Sequence, residues 1–376
     1  MYDRTREAYE RCSVPIPEAF EEKEVSDAKL KGVSLNWEGI LRSPQTEGYR
    51  NNCEFTCGYN SNGSPCVGFR QGLFSLGIFN VESPQEVRIV SDNMKRAVKV
   101  FQSFIEANHE TYKCYEQKTN QGLWRLMKVR ENRQGEMLLI VQVDPTNISA
   151  EDLKNLSDKM VEHFKSFDIS TNSSDLAINV KGVFLQHHSG VSNAAPSDAQ
   201  LDLLYGSDHI MEEVLGLKFK ISPMSFFQVN TKGVEVLYSK VREWTLESLD
   251  KDSNKERVLL DVCSGTGTIG STMSKNVSRV IGIEMVESSV KDAINNAKLN
   301  NIENITFICG KAEDTITTNM EQYKLNSPEV ECIAVVDPPR SGLHNKVLKS
   351  ILRSPTIERL IYVSCNPKTL VDNAVR

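Results

Sequence analysis

The sequence predicts an α/β protein in which a doubly wound, mostly parallel sheet follows a module of mixed α and β structure. After Leu217, short β-branched apolar runs alternate with helical stretches, as they do in parallel sheets. A glycine-rich turn directly follows the first strong run of this kind. Ahead of Leu217, the apolar runs are separated instead by Gly, Asn, Ser and Pro, which favours an α+β arrangement.

The composition is that of an ordinary soluble globular protein. Of the 376 residues, 39% are hydrophobic and 25% are charged. No apolar run approaches the roughly 20 residues needed to cross a bilayer. The acid-rich first thirty residues are unlike basic secretory or mitochondrial presequences. Nine cysteines are scattered without a disulfide frame. We therefore expect a cytoplasmic or nuclear protein with reduced thiols and no membrane contact.

Charge is unevenly distributed along the chain. The net formal charge is −6, which argues against a strongly basic polyanion-binding protein. From Arg42 to Arg133, however, thirteen Lys and Arg residues stand against nine Asp and Glu residues, a local balance of +4. A mildly basic front section is compatible with RNA contact.

The front part of the chain predicts a tail at residues 1–45 and a central α+β domain at 46–215. Helical periods cover Met94–Glu106 and Ala150–Phe167. The predicted strands are Cys53–Tyr59, Cys66–Phe69, Val87–Val90, Trp124–Arg130, Met137–Val143 and Lys181–His187. The fourth and fifth of these strands are expected to form a hairpin.

The rear part, residues 216–376, predicts the doubly wound sheet. Its expected strands are Val258–Val262, Val280–Glu284, Ile305–Cys309, Ile333–Asp337 and Leu360–Ser364. Between the second and third of these, Val286–Asn300 has the period of an amphipathic helix. Because parallel strands end at one edge of a sheet, the residues that follow each strand should share one ligand-binding rim.

The first two strand ends predict a site for a nucleotide-type cofactor. Gly265, Gly267 and Gly270 follow the first strand, where glycines let the chain turn tightly and let a ligand approach the backbone. Glu284 ends the second strand 19 residues after Gly265, where an acid can bind a ribose hydroxyl pair. This spacing fits NAD as well as S-adenosylmethionine, so the glycines alone leave both open.

Two further strand ends indicate chemistry on a heterocyclic base. Asp337-Pro-Pro-Arg340 follows the fourth strand, and its two prolines enforce a rigid extended loop. Cys365, in a Ser-Cys-Asn-Pro sequence, follows the fifth strand and so joins the same rim. A buried thiol is the plain alternative for any cysteine. A thiolate on the rim, favoured by Arg340, could instead add to C6 of uracil and make C5 nucleophilic.

The chain resembles the RNA uracil-5-methyltransferases from about Tyr49 onward. The motifs that carry the resemblance are YRNNCEF at 49–55, ISPMSFFQVN at 221–230, DVCSGTGTIG at 261–270, DPPRSGL at 337–343 and YVSCNP at 362–367. Within the family, the chain is most similar to the eukaryotic enzymes that form ribothymidine at position 54 of the tRNA T-loop. The resemblance implies a Rossmann-like class I methyltransferase fold, S-adenosylmethionine as cofactor and RNA, foremost tRNA, as partner. The NAD alternative then falls away.

The resemblance also assigns roles to individual residues. It implies that Cys365 is the nucleophile, which bonds to C6 of the target uridine. It implies that Arg340 and Arg50 lie near the RNA or the target base. The residues expected in the S-adenosylmethionine pocket are Gln228, Cys263, Thr268, Glu284 and Asp337, together with Gly265 of the turn.

Two departures from the family pattern lead to further expectations. The family's proton-abstracting glutamate lies in a segment after the cysteine motif, and only 11 residues follow Cys365 here. We therefore expect that base to lie beyond the chain end, the methyltransferase domain to be incomplete and turnover to be impaired. Some relatives bind an iron–sulfur cluster, but the spacing of Cys53, Cys57 and Cys66 does not match theirs, so we expect no metal.

Two enzymatic alternatives are disfavoured by the residue after Pro339. A cytosine-5 RNA methyltransferase would carry a cysteine there and an amino-group methyltransferase an aromatic residue, whereas this chain has Arg340. A catalytically impaired RNA-binding or tRNA-folding protein on the same scaffold stays as the second hypothesis.

Overall fold

The computed structural model describes residues 29–30, 33–34, 38–72, 77–192, 195–196, 198–248 and 254–374. They form two compact units, which we call the central unit, Ser43–Val234, and the parallel-sheet unit, Glu235–Arg376 with the described residues up to Arg42. Most of the expected N-terminal tail lies outside the described residues. Within them, β1 (Lys29–Leu30) and β2 (Val33–Ser34) pair in antiparallel fashion.

The central unit is built on a seven-stranded mixed sheet. Its strands are β3 (Asn52–Tyr59), β4 (Pro65–Arg70), β5 (Val81–Glu82), β6 (Trp124–Glu131), β7 (Glu136–Val143), β8 (Asn179–His187) and β9 (Leu201–Gly206). Their spatial order is β5-β4-β3-β6-β7-β8-β9, in which β7 and β8 run parallel and the other pairs antiparallel. A separate hairpin follows, formed by β10 (Ile210–Val214) and β11 (Leu217–Ile221).

Two amphipathic helices, α1 (Asp92–Asn108) and α2 (Ala150–Ser166), supply the apolar core of the central unit. Each begins at a serine cap: Ser91 accepts a hydrogen bond from a backbone N–H of α1 and Ser149 from one of α2. Phe101 stacks on Phe164 with ring centroids 5.9 Å apart and meets Trp124 edge-on at 5.6 Å. The helices therefore pack together over the strand that carries Trp124.

The parallel-sheet unit has the predicted doubly wound topology. Its strands are β12 (Glu256–Val262), β13 (Arg279–Glu284), β14 (Ile305–Cys309), β15 (Val330–Val336) and β16 (Ile357–Tyr362). They are all parallel in the order β14-β13-β12-β15-β16, so the chain reverses its direction of travel across the sheet between β14 and β15. Ligands of such sheets bind at the carboxyl edge beside this switch point, between β12 and β15.

Helices cover both faces of the parallel sheet. They are α3 (Thr231–Ser248), which contains the division between the units, α4 (Thr268–Met273), α5 (Glu287–Leu299), α6 (Ala312–Gln322), α7 (Asn345–Arg353) and α8 (Pro367–Ala374). Right-handed crossovers in the two directions from β12 put α4 and α5 on one face and α6 and α7 on the other. With both faces covered, β12 and β15 can carry the uninterrupted apolar runs Val258–Leu260 and Cys332–Val336.

The structure confirms most of the predicted elements and corrects a few. Val87–Val90 is not a strand: Val87 donates a hydrogen bond to the Pro84 carbonyl, and only Val90 makes an isolated bridge. Local turn bonds started by the proline thus override the β propensity of the valine and isoleucine side chains. Strand β15 ends at Val336 and β16 at Tyr362, one and two residues earlier than predicted. Pro338 lacks an N–H and cannot extend the ladder of β15.

Candidate active site

The strand ends bring three of the predicted cofactor residues into one row. β12 is paired in parallel register with β13 on one side and β15 on the other. In this register Cys263, Glu284 and Asp337 occupy adjacent positions, on strands about 4.8 Å apart. The Asp337 N–H donates to the Val262 carbonyl at 3.2 Å and continues the ladder past the end of β15. The predicted rim is therefore present in the parallel-sheet unit.

The glycine turn leaves open space at one of its glycines. Gly265 and Gly267 have φ values of 55° and 75°, in the left-handed region that favours glycine. A Cβ placed on Gly265 would meet no atom within 4 Å, whereas one on Gly267 would collide with the Phe307 ring. Gly267 is thus required by packing, and Gly265 leaves room for a ligand. Cys263 also has a positive φ, 63°, which is rare for a residue with a side chain.

Two buried polar atoms beside this turn have no protein partner. Asp261 is fully buried, and its Oδ2 accepts a hydrogen bond from the Gly270 N–H at 2.9 Å. Its Oδ1, like the Oγ of buried Ser264, has no hydrogen-bond partner in the described part of the chain. Burial, with the nearby charges of Asp337 and Glu284, raises the pKa of Asp261 to about 7. Buried polar atoms are normally paired, so these two are exceptions beside the glycine turn.

Glu284 connects the ends of β12 and β13. One of its carboxylate oxygens accepts a hydrogen bond from the Gly265 N–H at 2.9 Å and the other from the Val286 N–H at 2.9 Å. The acid that we expect to bind a ribose therefore also fixes the glycine turn. Met285 and Val286, the next two residues, are exposed apolar side chains at the same edge.

Cys263 and Thr268 lie on either side of the glycines. Burial raises the pKa of the Cys263 thiol to about 12, with further contributions from the charges of Glu284 and Asp261, so this thiol stays protonated. The Thr268 hydroxyl lies 3.1 Å from the hydroxyl of Tyr238, a buried residue of α3. Cys263 is therefore suited to line a pocket and not to act as a nucleophile.

Cys365 lies on an exposed loop tied to the Asp-Pro-Pro-Arg loop. It is exposed and free, three residues beyond the end of β16. Asn366, its neighbour, donates from its side chain to the Arg340 carbonyl at 3.1 Å. The Ser364 hydroxyl donates to the Asn366 carbonyl at 3.0 Å and closes a tight turn around the cysteine. The backbone at Arg340 and the thiol-bearing turn are thus connected directly.

Asn373 holds the same two loops from behind. Its side-chain carbonyl accepts hydrogen bonds from the Leu343 N–H at 2.8 Å and the Tyr362 hydroxyl at 2.7 Å. Its amide donates to the Leu343 carbonyl at 3.2 Å. Gly342 passes so close that a Cβ there would lie 2.6 Å from the Asn373 oxygen. No sequence pattern predicts this role, since Asn373 stands in an ordinary helical stretch.

Arg50 and Gln228 belong to the central unit, so their predicted places beside the cofactor and the RNA stay predictions. The Arg50 guanidinium donates to the Asn52 carbonyl at 3.3 Å. The Gln228 carbonyl accepts a hydrogen bond from the Asn51 side chain at 2.8 Å. Both residues are half-buried.

The segment ahead of Gln228 is anchored by a buried arginine that sequence reasoning overlooked. Arg130, on β6, is only 3% exposed. Its guanidinium donates to the Pro223 carbonyl at 2.7 Å and also to the Ser225 carbonyl. Phe226, which follows, is 64% exposed. The backbone of this loop is therefore rigidly held while an aromatic ring faces solvent.

Among the residues that the structure describes, no group of three or more His, Cys, Asp or Glu side chains is arranged to hold a metal ion. No helix within the same ranges has the length and apolar character of a membrane span.

Comparison with known proteins identifies the family. The profile of the tRNA (uracil-5-)-methyltransferase family matches residues 199–376. Mouse tRNA (uracil-5-)-methyltransferase homolog A is 37% identical over 339 residues, which cover 90% of this chain and 52% of that protein. Residues 199–376 of this chain belong to the tRNA (uracil-5-)-methyltransferase family.

Another relative and one solved structure are also similar to this chain. An Arabidopsis thaliana relative, named zinc finger CCCH domain-containing protein 24, is 33% identical and is covered over 53% of its length. The structure of Pyrococcus abyssi tRNA (uracil-54, C5)-methyltransferase, solved with S-adenosyl-L-homocysteine, superposes with a TM-score of 0.63 at 22% identity. That match covers 88% of this chain and 70% of the other, and it supports the Rossmann-like methyltransferase fold. The chain spans about half the length of the eukaryotic relatives named here.

Proposed function

We propose that this family member methylates C5 of a uridine in tRNA, at T-loop position 54, through a covalent bond between the Cys365 sulfur and C6 of the base. One observation carries the proposal: an exposed thiol stands on the strand-end rim that also holds the glycine turn. The names of the family and of the Pyrococcus abyssi relative support the choice of substrate.

The thiol's part in the reaction is covalent catalysis. The Cys365 thiolate adds to C6, and the C5–C6 π electrons move toward C5 and O4, which gives an enolate that reacts at C5. After C5 is methylated, a general base takes the C5 proton, the C6–S bond breaks, and the thiolate and the aromatic ring return. The exposed Arg340 guanidinium suits an RNA phosphate or the enolate oxygen. The hydrogen bond from Asn366 to the Arg340 backbone keeps this loop and the thiol in fixed relation.

The glycine turn has groups that suit S-adenosylmethionine, which when bound supplies an electrophilic methyl group. Glu284 is the acid for the ribose hydroxyls, and it is held at the turn by the hydrogen bond that it accepts from the Gly265 N–H. Gly265 leaves the approach open, with Cys263 and Thr268 beside it. Asp337 adds a further carboxylate, and three acids near one turn favour a cationic sulfonium. Gln228 is the contribution that we propose from the central unit.

The decisive experiment traps the adduct. A T-arm hairpin RNA with 5-fluorouridine at position 54 is incubated with the protein and S-adenosylmethionine. Fluorine at C5 cannot leave as a proton does, so the C6–S bond persists. Mass spectrometry of the digested complex is expected to find the RNA on the peptide that contains Cys365, with the added methyl group.

The matched control is Cys309→Ser, because Cys309 is also exposed and also stands at the carboxyl end of a strand. It is expected to form the adduct as the parent does, whereas Cys365→Ser forms none. An adduct at Cys309, or none on any cysteine despite tight RNA binding, would contradict the proposal. The latter result would favour the second hypothesis, an RNA-binding protein without catalysis.

A further inference from the structure

A polar groove lies in the parallel-sheet unit, between α6 and α7. It has a volume of about 610 Å³, and no Asp or Glu side chain is among the residues that line it. Its basic side chains are Lys346, Lys349 and Arg353, all on α7 and all exposed. A groove with three cations and no acid is unexpected in a chain whose net charge is −6.

The three cations have no carboxylate partner in the described part of the chain. Two exposed lysines on other helices are paired with carboxylates: Lys154 with Asp158 at 2.7 Å and Lys291 with Glu287 at 2.8 Å. A solvated helix face commonly mixes both signs, as these pairs do. The α7 face does not, so its charge is available to an external anion.

The groove has a defined shape because α6 and α7 are held together at several points. The hydroxyls of Thr317 and Ser350 lie 3.3 Å apart across it. Ser354 donates to the Asn326 side chain at 2.7 Å at one end. The inner face of α7 is apolar and buried in the core, which fixes the direction in which its cations point.

The direction of α7 connects the groove to the rim. The helix starts directly after the loop that carries Arg340, so Lys346 lies near the carboxyl edge of the sheet. Residues 346, 349 and 353 share one helical face and together extend over roughly 10 Å at 1.5 Å per residue. Arg353 therefore lies well away from the thiol, and the cations form a line that leads from the rim.

We propose that this groove binds the phosphate backbone of the RNA substrate outside the target loop. Lysine and arginine side chains in line recognise a polyanion by charge, and hydroxyl and amide groups in the groove can add hydrogen bonds to phosphate oxygens. The inference rests on the proposed RNA methylation, and it adds a contact surface remote from the reacting base. It predicts that the groove contributes more to the binding affinity for a whole tRNA than to the affinity for an isolated T-arm hairpin.

The test compares two triple variants that remove the same charge. The groove variant, Lys346→Gln/Lys349→Gln/Arg353→Gln, removes the three positive charges of the groove. The control variant removes three exposed lysines from the opposite face of the sheet by the changes Lys275→Gln/Lys291→Gln/Lys298→Gln. Affinity for a transcribed tRNA and for its T-arm hairpin is measured from low to high salt. The groove variant is expected to lose roughly 10- to 30-fold in tRNA affinity and to flatten the salt slope by about two to three. The affinity of the groove variant for the T-arm hairpin should fall by a smaller factor.

Adduct formation with saturating 5-fluorouridine tRNA separates this inference from the proposed function. The groove variant is expected to form the Cys365 adduct to the parent's extent, since the chemistry is remote from α7. Equal tRNA affinities for the two triple variants would contradict RNA binding by the groove. They would not contradict the proposed methylation of uridine. If the parent itself forms no adduct, the proposed function fails, while the difference between the variants still decides whether the groove binds RNA.

Discussion

Two buried carboxylates, one in each unit, differ in how completely the protein satisfies them. Glu212 of the central unit is 2% exposed, and its oxygens accept hydrogen bonds from the Glu213 N–H at 2.9 Å and the Thr231 hydroxyl at 3.1 Å, with Arg133 nearby. Asp261 of the parallel-sheet unit is fully buried, yet one of its oxygens has no hydrogen-bond partner in the described ranges.

The difference separates a carboxylate whose two oxygens are both hydrogen-bonded within the fold from one that has a single hydrogen-bonded oxygen. In the central unit, both carboxylate oxygens of Glu212 accept hydrogen bonds, and the guanidinium of Arg130 donates two. Glu212 stabilises the β10–β11 hairpin, and Arg130 stabilises the loop that follows β11. At the glycine turn, hydrogen bonds are left unmade and carboxylates stand close together, which costs stability that a bound cation can restore. Mutations in the first region should therefore cost stability, whereas mutation of Gly265, on the open side of the glycine turn, should chiefly reduce ligand affinity.

The largest effect is expected from Arg130→Met in the central unit. The change leaves the Pro223 and Ser225 carbonyls without their charged donor, at a cost of about 3–5 kcal/mol in the free energy of unfolding. Urea unfolding followed by circular dichroism measures it. Lys154→Met, which breaks an exposed pair with Asp158, is the control and should cost less than about 1 kcal/mol. A loss for Arg130→Met no larger than the control's would mean that this loop is not held by the arginine.

A second comparison sets Gly267→Ala against Gly265→Ala. Both residues have positive φ, so each alanine costs about 1 kcal/mol of backbone strain. Gly267→Ala also collides with Phe307 and should lose about 1–3 kcal/mol more. The Gly265→Ala variant should instead lose most of the thermal stabilisation that S-adenosylhomocysteine gives when it binds. Thermal unfolding with and without this ligand measures both effects, and equal ligand responses from the two variants would rule out the open side of Gly265 as a contact.

The third prediction concerns pH. Because the pKa of Asp261 is raised to about 7 in the folded protein, the folded state keeps a proton that the unfolded chain releases near its ordinary pKa. Stability from this group should therefore fall as pH rises from about 4 to about 7, by on the order of 2 kcal/mol between pH 5 and pH 7. Asp261→Asn should remove that part of the slope in urea unfolding. An unchanged slope would show that Asp261 titrates normally.

The smallest effect is expected from Tyr362→Phe. It deletes one of the two hydrogen bonds that the Asn373 carbonyl accepts, while the bond from Leu343 remains, so the cost should be about 1 kcal/mol. Tyr323→Phe, which changes a partly buried tyrosine of the same unit, serves as the control. Chemical denaturation resolves the two, and a cost above about 3 kcal/mol would mean that the whole loop depends on this hydroxyl.

Sequence reasoning was most reliable in the parallel-sheet unit. The middle strands β12, β13 and β15 are largely buried, whereas the edge strands β14 and β16 are mostly half-buried or exposed. The alternation of apolar runs with helical stretches predicted all five strands, with errors of up to three residues at their ends. It failed at Val87–Val90, where similar side chains follow a proline turn. Family motifs located the rim residues, and the sheet register explains why residues far apart in sequence meet there.

Other features of the site carried no readable signal. Arg130 alternates with apolar residues along β6, a pattern typical of a solvent-facing position, yet the loop after β11 covers it. The burial of Asp261 depends on the packing of α4 against two strands, which a single motif does not state. The hydrogen bonds of Asn373 join loops about 10 and 30 residues away in sequence, and nothing in its helical neighbours predicts them.

The position of Asn373 near the end of α8 affects the order in which the core and the loops around Cys365 form during synthesis. The groups that it joins, at Leu343 and Tyr362, are translated before it, and β12, at the middle of the sheet, earlier still. During synthesis, the strands can collapse and pair while the two reactive loops remain untethered. The loop that carries Cys365 would then be fixed only when α8 packs against it. The core of the sheet therefore forms before the proposed nucleophile is held in position.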